Sequence, residues 1–146
     1  PRPRDSFDAQ IYNRSNTTLN SVSTLLGYLA VASGNRSTAV GAFANSREDS
    51  ASAYGVYAQA FGPSSIAVGD QAKATAYRSI AIGAVSQNLA VRSVLIGPNG
   101  YISATAVDSI LVGQAGQITA QNSVGLGNVQ IGARGTGSTN SSLRNR

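Results

Sequence analysis

The sequence predicts an all-β protein, a parallel β-solenoid of about eight 14-residue coils, on three observations. A five-residue block ending in glycine returns eight times at nearly constant spacing. A second, weaker block recurs seven residues out of phase with it. Small residues dominate: Ala, Ser and Gly fill 58 of 146 positions, against 33 for Leu, Ile, Val and Phe together, too few for a thick core of large side chains. Self-similarity at a fixed period is the mark of a repeat architecture, and it outranks local propensity.

The first series runs Ser23-Thr-Leu-Leu-Gly27, Ser37-Thr-Ala-Val-Gly41, Ala51-Ser-Ala-Tyr-Gly55 and Ser65-Ile-Ala-Val-Gly69. It continues as Ser79-Ile-Ala-Ile-Gly83, Ser93-Val-Leu-Ile-Gly97, Ser109-Ile-Leu-Val-Gly113 and Ser123-Val-Gly-Leu-Gly127, with starts spaced 14, 14, 14, 14, 14, 16 and 14 residues. The second series begins at Ala30, Ala44, Ala58, Ala72 and Ser86, and resumes with Ile102-Ser-Ala-Thr-Ala106 and Gly116-Gln-Ile-Thr-Ala120. Each unit reads as strand, two-residue turn, strand, two-residue turn. Fourteen residues cannot hold a crossover helix, so successive units stack as coils. The one irregularity is placed at Pro98-Asn99-Gly100-Tyr101, a four-residue turn with Tyr101 at its tip.

Alternation assigns the faces, since neighbours along a strand point to opposite sides. The first, third and fifth positions are mostly Ser, Ala or Gly and suit a narrow interior. The second and fourth positions point outward, and in the first series thirteen of sixteen are apolar: Leu26, Val40, Tyr54, Ile66, Val68, Ile80, Ile82, Val94, Ile96, Ile110, Val112, Val124 and Leu126. In the second series eleven of fourteen are polar, among them Gln59, Lys73, Gln87 and Gln117. One flank therefore faces water and the other is a continuous apolar stripe. A soluble monomer does not leave such a stripe open, so the thirteen residues form an interface shared between chains. Burying even half of it contributes several kcal/mol at roughly 25 cal/mol per Å².

The doubled pattern Ala58-x-Ala60-x-Gly62-x-x-Ser65-Ile-Ala-Val-Gly69, repeated from Ala72 to Gly83, resembles the YadA-like head of trimeric autotransporter adhesins. The resemblance covers about residues 23–127. It implies a left-handed parallel β-roll and a homotrimer closed by the apolar flanks; the handedness and the number three belong to the family. The usual neck motif after the head is absent, and residues 1–22 match no head repeat. Similar rolls also occur in bacteriophage fibres and surface proteins.

The chain divides into an N-terminal arm (1–22), the roll (23–134) and a Gly/Ser/Asn-rich tail (135–146). Arg2, Arg4, Phe7, Ile11 and Tyr12 in one arm, with Arg144 and Arg146 in the other, are candidate anchoring residues. The net charge of +5 gathers at the ends, and the few aromatics are not interleaved with basic residues as a nucleic-acid platform requires. No apolar run approaches the length of a membrane span, and no signal peptide is evident.

With no Cys and no His, the commonest metal ligand, the commonest general base near neutral pH and any thiol nucleophile are missing. Glu48-Asp49 is the one adjacent acid pair and has no partner base. No enzymatic activity, cofactor or metal is expected. An initiator Met before Pro1 is normally removed, so the start fits a complete chain, and a fragment would look the same. The leading expectation is a structural protein of a virion surface: a capsid decoration protein or short fibre bound to other virion proteins. The alternative is an adhesin head on a bacterial outer surface, binding host matrix or cell-surface proteins.

Overall fold

The computed structural model describes residues 22–132 and the backbone of the strand Thr139–Ser141. Its period-14 blocks fold into two parallel sheets. One holds three-residue strands in chain order: Thr24–Leu26, Thr38–Val40, Ser52–Tyr54, Ile66–Val68, Ile80–Ile82, Val94–Ile96, Ile110–Val112, Val124–Leu126 and Thr139–Ser141. The other holds two-residue strands: Val31–Ala32, Asn45–Ser46, Gln59–Ala60, Lys73–Ala74, Gln87–Asn88, Tyr101–Ile102, Gln117–Ile118 and Gln130–Ile131. Register is position on position, as where Ile66, Ala67 and Val68 face Ile80, Ala81 and Ile82. The five-residue blocks are thus ladder strands only at their middles, and their ends belong to the corners. Thr139–Ser141 pairs with Val124–Leu126, so the larger sheet runs on into the stretch read from sequence as a tail. Arg2, Arg4, Phe7, Ile11, Tyr12, Arg144 and Arg146 lie outside the described residues.

The corners explain the glycine that ends each block. At Gly41, φ is +130°, and a Cβ there would sit 2.5 Å from the carbonyl oxygen of Gly55 in the next coil. Only glycine meets both conditions. Two residues later the chain enters the left-handed region, and it does so again at the opposite corner, at fourteen non-glycine positions in all with φ from 51° to 59°. This conformation costs roughly 1–2 kcal/mol per residue. From Phe43 onward it is held because each such N–H reaches the previous coil: Phe43 donates to the Tyr28 carbonyl and Val85 to the Asp70 carbonyl, both at 2.8 Å. The ladder therefore continues around the corner instead of ending at the strand. Serine at the first position closes the turn before it; the Ser79 hydroxyl donates to the Ala76 carbonyl and the Ser86 hydroxyl to the Gly83 carbonyl, both at 2.8 Å.

The interior is narrow, as the small residues require, but it has two compositions. From Ala39 to Ala81 the buried cluster is alanine throughout. Beyond it, Leu95, Ile102, Leu111 and Ile118 are fully buried, so the interior accepts large side chains that an all-small reading leaves out. They fit by exchange of volume across the roll. Where Leu95 and Leu111 point in, the residue five positions on is Gly100 and Gly116, and a Cβ there would lie 2.5 and 2.7 Å from the leucine Cδ1. In the last coil the exchange reverses, with Gly125 opposite Val129. Asn88 sits between the two compositions, fully buried and fully bonded. Its Nδ2 donates to the carbonyls of Ile80 (2.8 Å) and Ser93 (2.9 Å), and its Oδ1 accepts from the Ala90 N–H (3.2 Å) and the Ser93 hydroxyl (2.6 Å).

The irregular coil differs from the sequence reading. Tyr101–Ile102 pairs with Gln87–Asn88 at the normal step, and Asn99 takes the usual left-handed corner. Pro98-Asn99 is therefore an ordinary two-residue turn, and Tyr101 is a half-buried strand residue, not a loop tip. The two extra residues fall later, because the next left-handed corner comes at Asp108, nine residues after Asn99. Ile102 decides the matter: it stacks on Ile118 inside the roll, and that leaves Ala104 and Thr105 to bulge. Thr105 ties the bulge down by donating its hydroxyl to the Thr119 carbonyl at 2.9 Å.

Candidate functional site

Alternation on the larger sheet turns the second and fourth residues of each block outward, and stacking lines them into two columns. Ile66, Ile80, Val94, Ile110 and Val124 form one; Leu26, Val40, Tyr54, Val68, Ile82, Ile96, Val112 and Leu126 form the other. No charged residue interrupts them. β-Branched side chains on a flat pleated surface pack well against a matching surface. None of the thirteen is buried within the single chain, and eight of them remain 37–54% exposed. The sheet that sequence patterning marks as an interface is thus, in one chain, an apolar surface without a cover.

The opposite sheet is largely polar, and one of its apolar exceptions is capped. Phe61 projects outward, and the Arg47 guanidinium covers its ring at 4.5 Å from the centroid. Along the corner that follows the larger sheet, Tyr28, Phe43 and Tyr57 form an aromatic ladder. Phe43 meets Tyr28 edge-on at 5.5 Å and Tyr57 in a parallel stack at 4.7 Å. The sequence carries a signal for the stack that was missed: Phe43 and Tyr57 are one coil apart, so the repeat itself superposes them.

At the other corner the Asp49 carboxylate accepts the Asn35 N–H at 3.0 Å, which ties the corners of two neighbouring coils together. Arg92 grips Asp108 through Nε at 2.6 Å and Nη2 at 2.7 Å, the one ion pair among the described residues. The Arg92 hydrogen bonds, then its charge, hold the Asp108 carboxyl below the usual carboxylate range. No group of three His, Cys, Asp or Glu residues is placed to hold a metal among the described residues. No helix there is long and apolar enough to cross a membrane.

The family model of the YadA head domain repeat matches residues 26–44, 49–72 and 60–86. Among solved structures, the collagen-binding domain of the Yersinia adhesin YadA is similar, with 25% sequence identity and a TM-score of 0.69. The likeness covers 86% of this chain and 63% of that one, so the chain spans less than two thirds of that domain's length. No curated protein matches. These likenesses support an adhesin head over a virion structural role, and none of them points to a virion.

Proposed function

We propose that the roll is a YadA-like head domain, as its likeness to that repeat and to an adhesin domain supports, and that the chain is a homotrimeric adhesive head that binds host extracellular matrix from a bacterial outer surface. The observation that carries the reading is the likeness to a collagen-binding adhesin domain, which extends over 86% of this chain. The uncovered apolar columns supply the reason to associate. Leu26, Val40, Tyr54, Ile66, Val68, Ile80, Ile82, Val94, Ile96, Ile110, Val112, Val124 and Leu126 pack against the same columns of neighbouring copies, and the family supplies the number three. Closing that face leaves the polar sheets outermost, so ligand contact falls on them and on the corners. The shape suits adhesion: a rod of identical steps repeats its surface along its length and across three copies, which multiplies weak contacts.

The test is binding of the purified full chain to immobilised collagen. Saturable binding that disappears when the chain is heat-unfolded is the expected result. A folded chain that binds neither collagen nor a panel of other matrix proteins would overturn the adhesive reading.

A further inference from the structure

We infer that a shallow depression on the polar face, at the step between the third and fourth coils, binds a saccharide bearing a single carboxylate. Four side chains border it: Tyr57, Gln59, Gln71 and Lys73. The repeat places them as the corners of a quadrilateral. Gln59 and Lys73 are partners in the ladder, and the Gln71 N–H donates to the Val56 carbonyl, which sets Gln71 beside Tyr57 in the next coil. Neighbouring coils stand about 4.8 Å apart. Between the corners, Ala58 and Ala72 point into the roll and are fully buried, so the floor is bare backbone. The opening is therefore about the size of one sugar ring.

Each wall has its own chemistry. Tyr57 is stacked on Phe43 by one face, with ring planes 1° apart, which leaves its other face turned towards the fourth coil and the depression. A fixed, exposed aromatic face suits the C–H side of a pyranose. Gln59 offers an amide donor and acceptor for hydroxyls. Lys73 is the chain's single lysine, half-buried along its stem, and its ammonium has no acceptor among the described residues. It is the group that would take a carboxylate. Asp70 stands next to Gln71 and receives its Nε2 at 3.3 Å. That nearby negative charge disfavours polyanionic chains and leaves room for one carboxylate only. It also fixes the Gln71 amide so that its oxygen can accept from a sugar hydroxyl.

The site does not depend on matrix-protein binding, and its test is separate. Amide shifts of the full chain are followed by NMR during titration with 3′-sialyllactose, and with lactose as the neutral control. Saturable shifts centred on Tyr57, Gln59, Gln71 and Lys73 are expected, with lactose about tenfold weaker for want of the charge-assisted hydrogen bond. Lys73→Gln should bring sialyllactose down to the lactose level, while Gln87→Ala, one coil further on, should leave it unchanged. Tyr57→Ala should weaken both sugars; should that variant not fold, the Lys73→Gln comparison decides alone. Equal affinity for the two sugars, unchanged sialyllactose binding by Lys73→Gln, or no shift at these residues would each overturn the site.

Discussion

Gly100 has no side chain because Leu95 occupies the space a Cβ would need, and Gly116 stands in the same relation to Leu111. This exchange is what lets a roll with an alanine interior finish with leucine and isoleucine inside. Gly100→Ala should therefore cost about 1–3 kcal/mol from overpacking, and the added Leu95→Ala should recover part of that loss. Denaturant unfolding of the two single variants and the double variant measures the coupling; additive losses would show that the two positions do not share the space. The inward and outward sides were legible in the sequence, since strict alternation in a strand permits no other arrangement. The volume exchange was not, because Gly100 follows Pro98-Asn99 and reads as a turn residue. Only the pairing of Tyr101–Ile102 with Gln87–Asn88 moves Gly100 into a strand block and beneath Leu95.

Among the elements, the coil with two extra residues is the one whose boundaries sequence reading misplaced. Counting from glycine to serine locates an insertion between Gly97 and Ser109 but not within it. Ile102 and Ile118 hold the missing information, since both are buried and must stack. The corner after the bulge is clamped by Arg92 and Asp108, which join neighbouring coils across the added residues. Folding lowers the Asp108 pKa, so the clamp's contribution is complete above the ordinary carboxylate range and is lost as pH falls through the lowered value. Folding raises the Arg92 pKa further, which has no consequence near neutrality. Melting temperature against pH should fall more on acidification for the wild type than for Asp108→Asn, and added salt should narrow the difference, because both groups are exposed. Parallel curves for the two proteins would remove the clamp from the account of stability.

At the scale of the whole molecule, the single chain is unfinished. Its interior is closed and its corners are laddered, yet its larger sheet presents two uninterrupted apolar columns to solvent. The period of 14 revealed that face from sequence alone, because a repeat places the same side chains in the same columns without further information. The arms were not open to the same reading: residues 1–22 do not repeat, so neither alternation nor register constrains them. The central claim, that the apolar columns close a homotrimer, is tested most directly by molar mass in solution, measured by light scattering on the wild type and on Ile80→Asp with Ile82→Asp. The account predicts three times the chain mass of 14.9 kDa for the wild type, and loss of the trimer when charges without partners enter the closed seam. A wild-type monomer, or a folded double variant that remains trimeric, would contradict it.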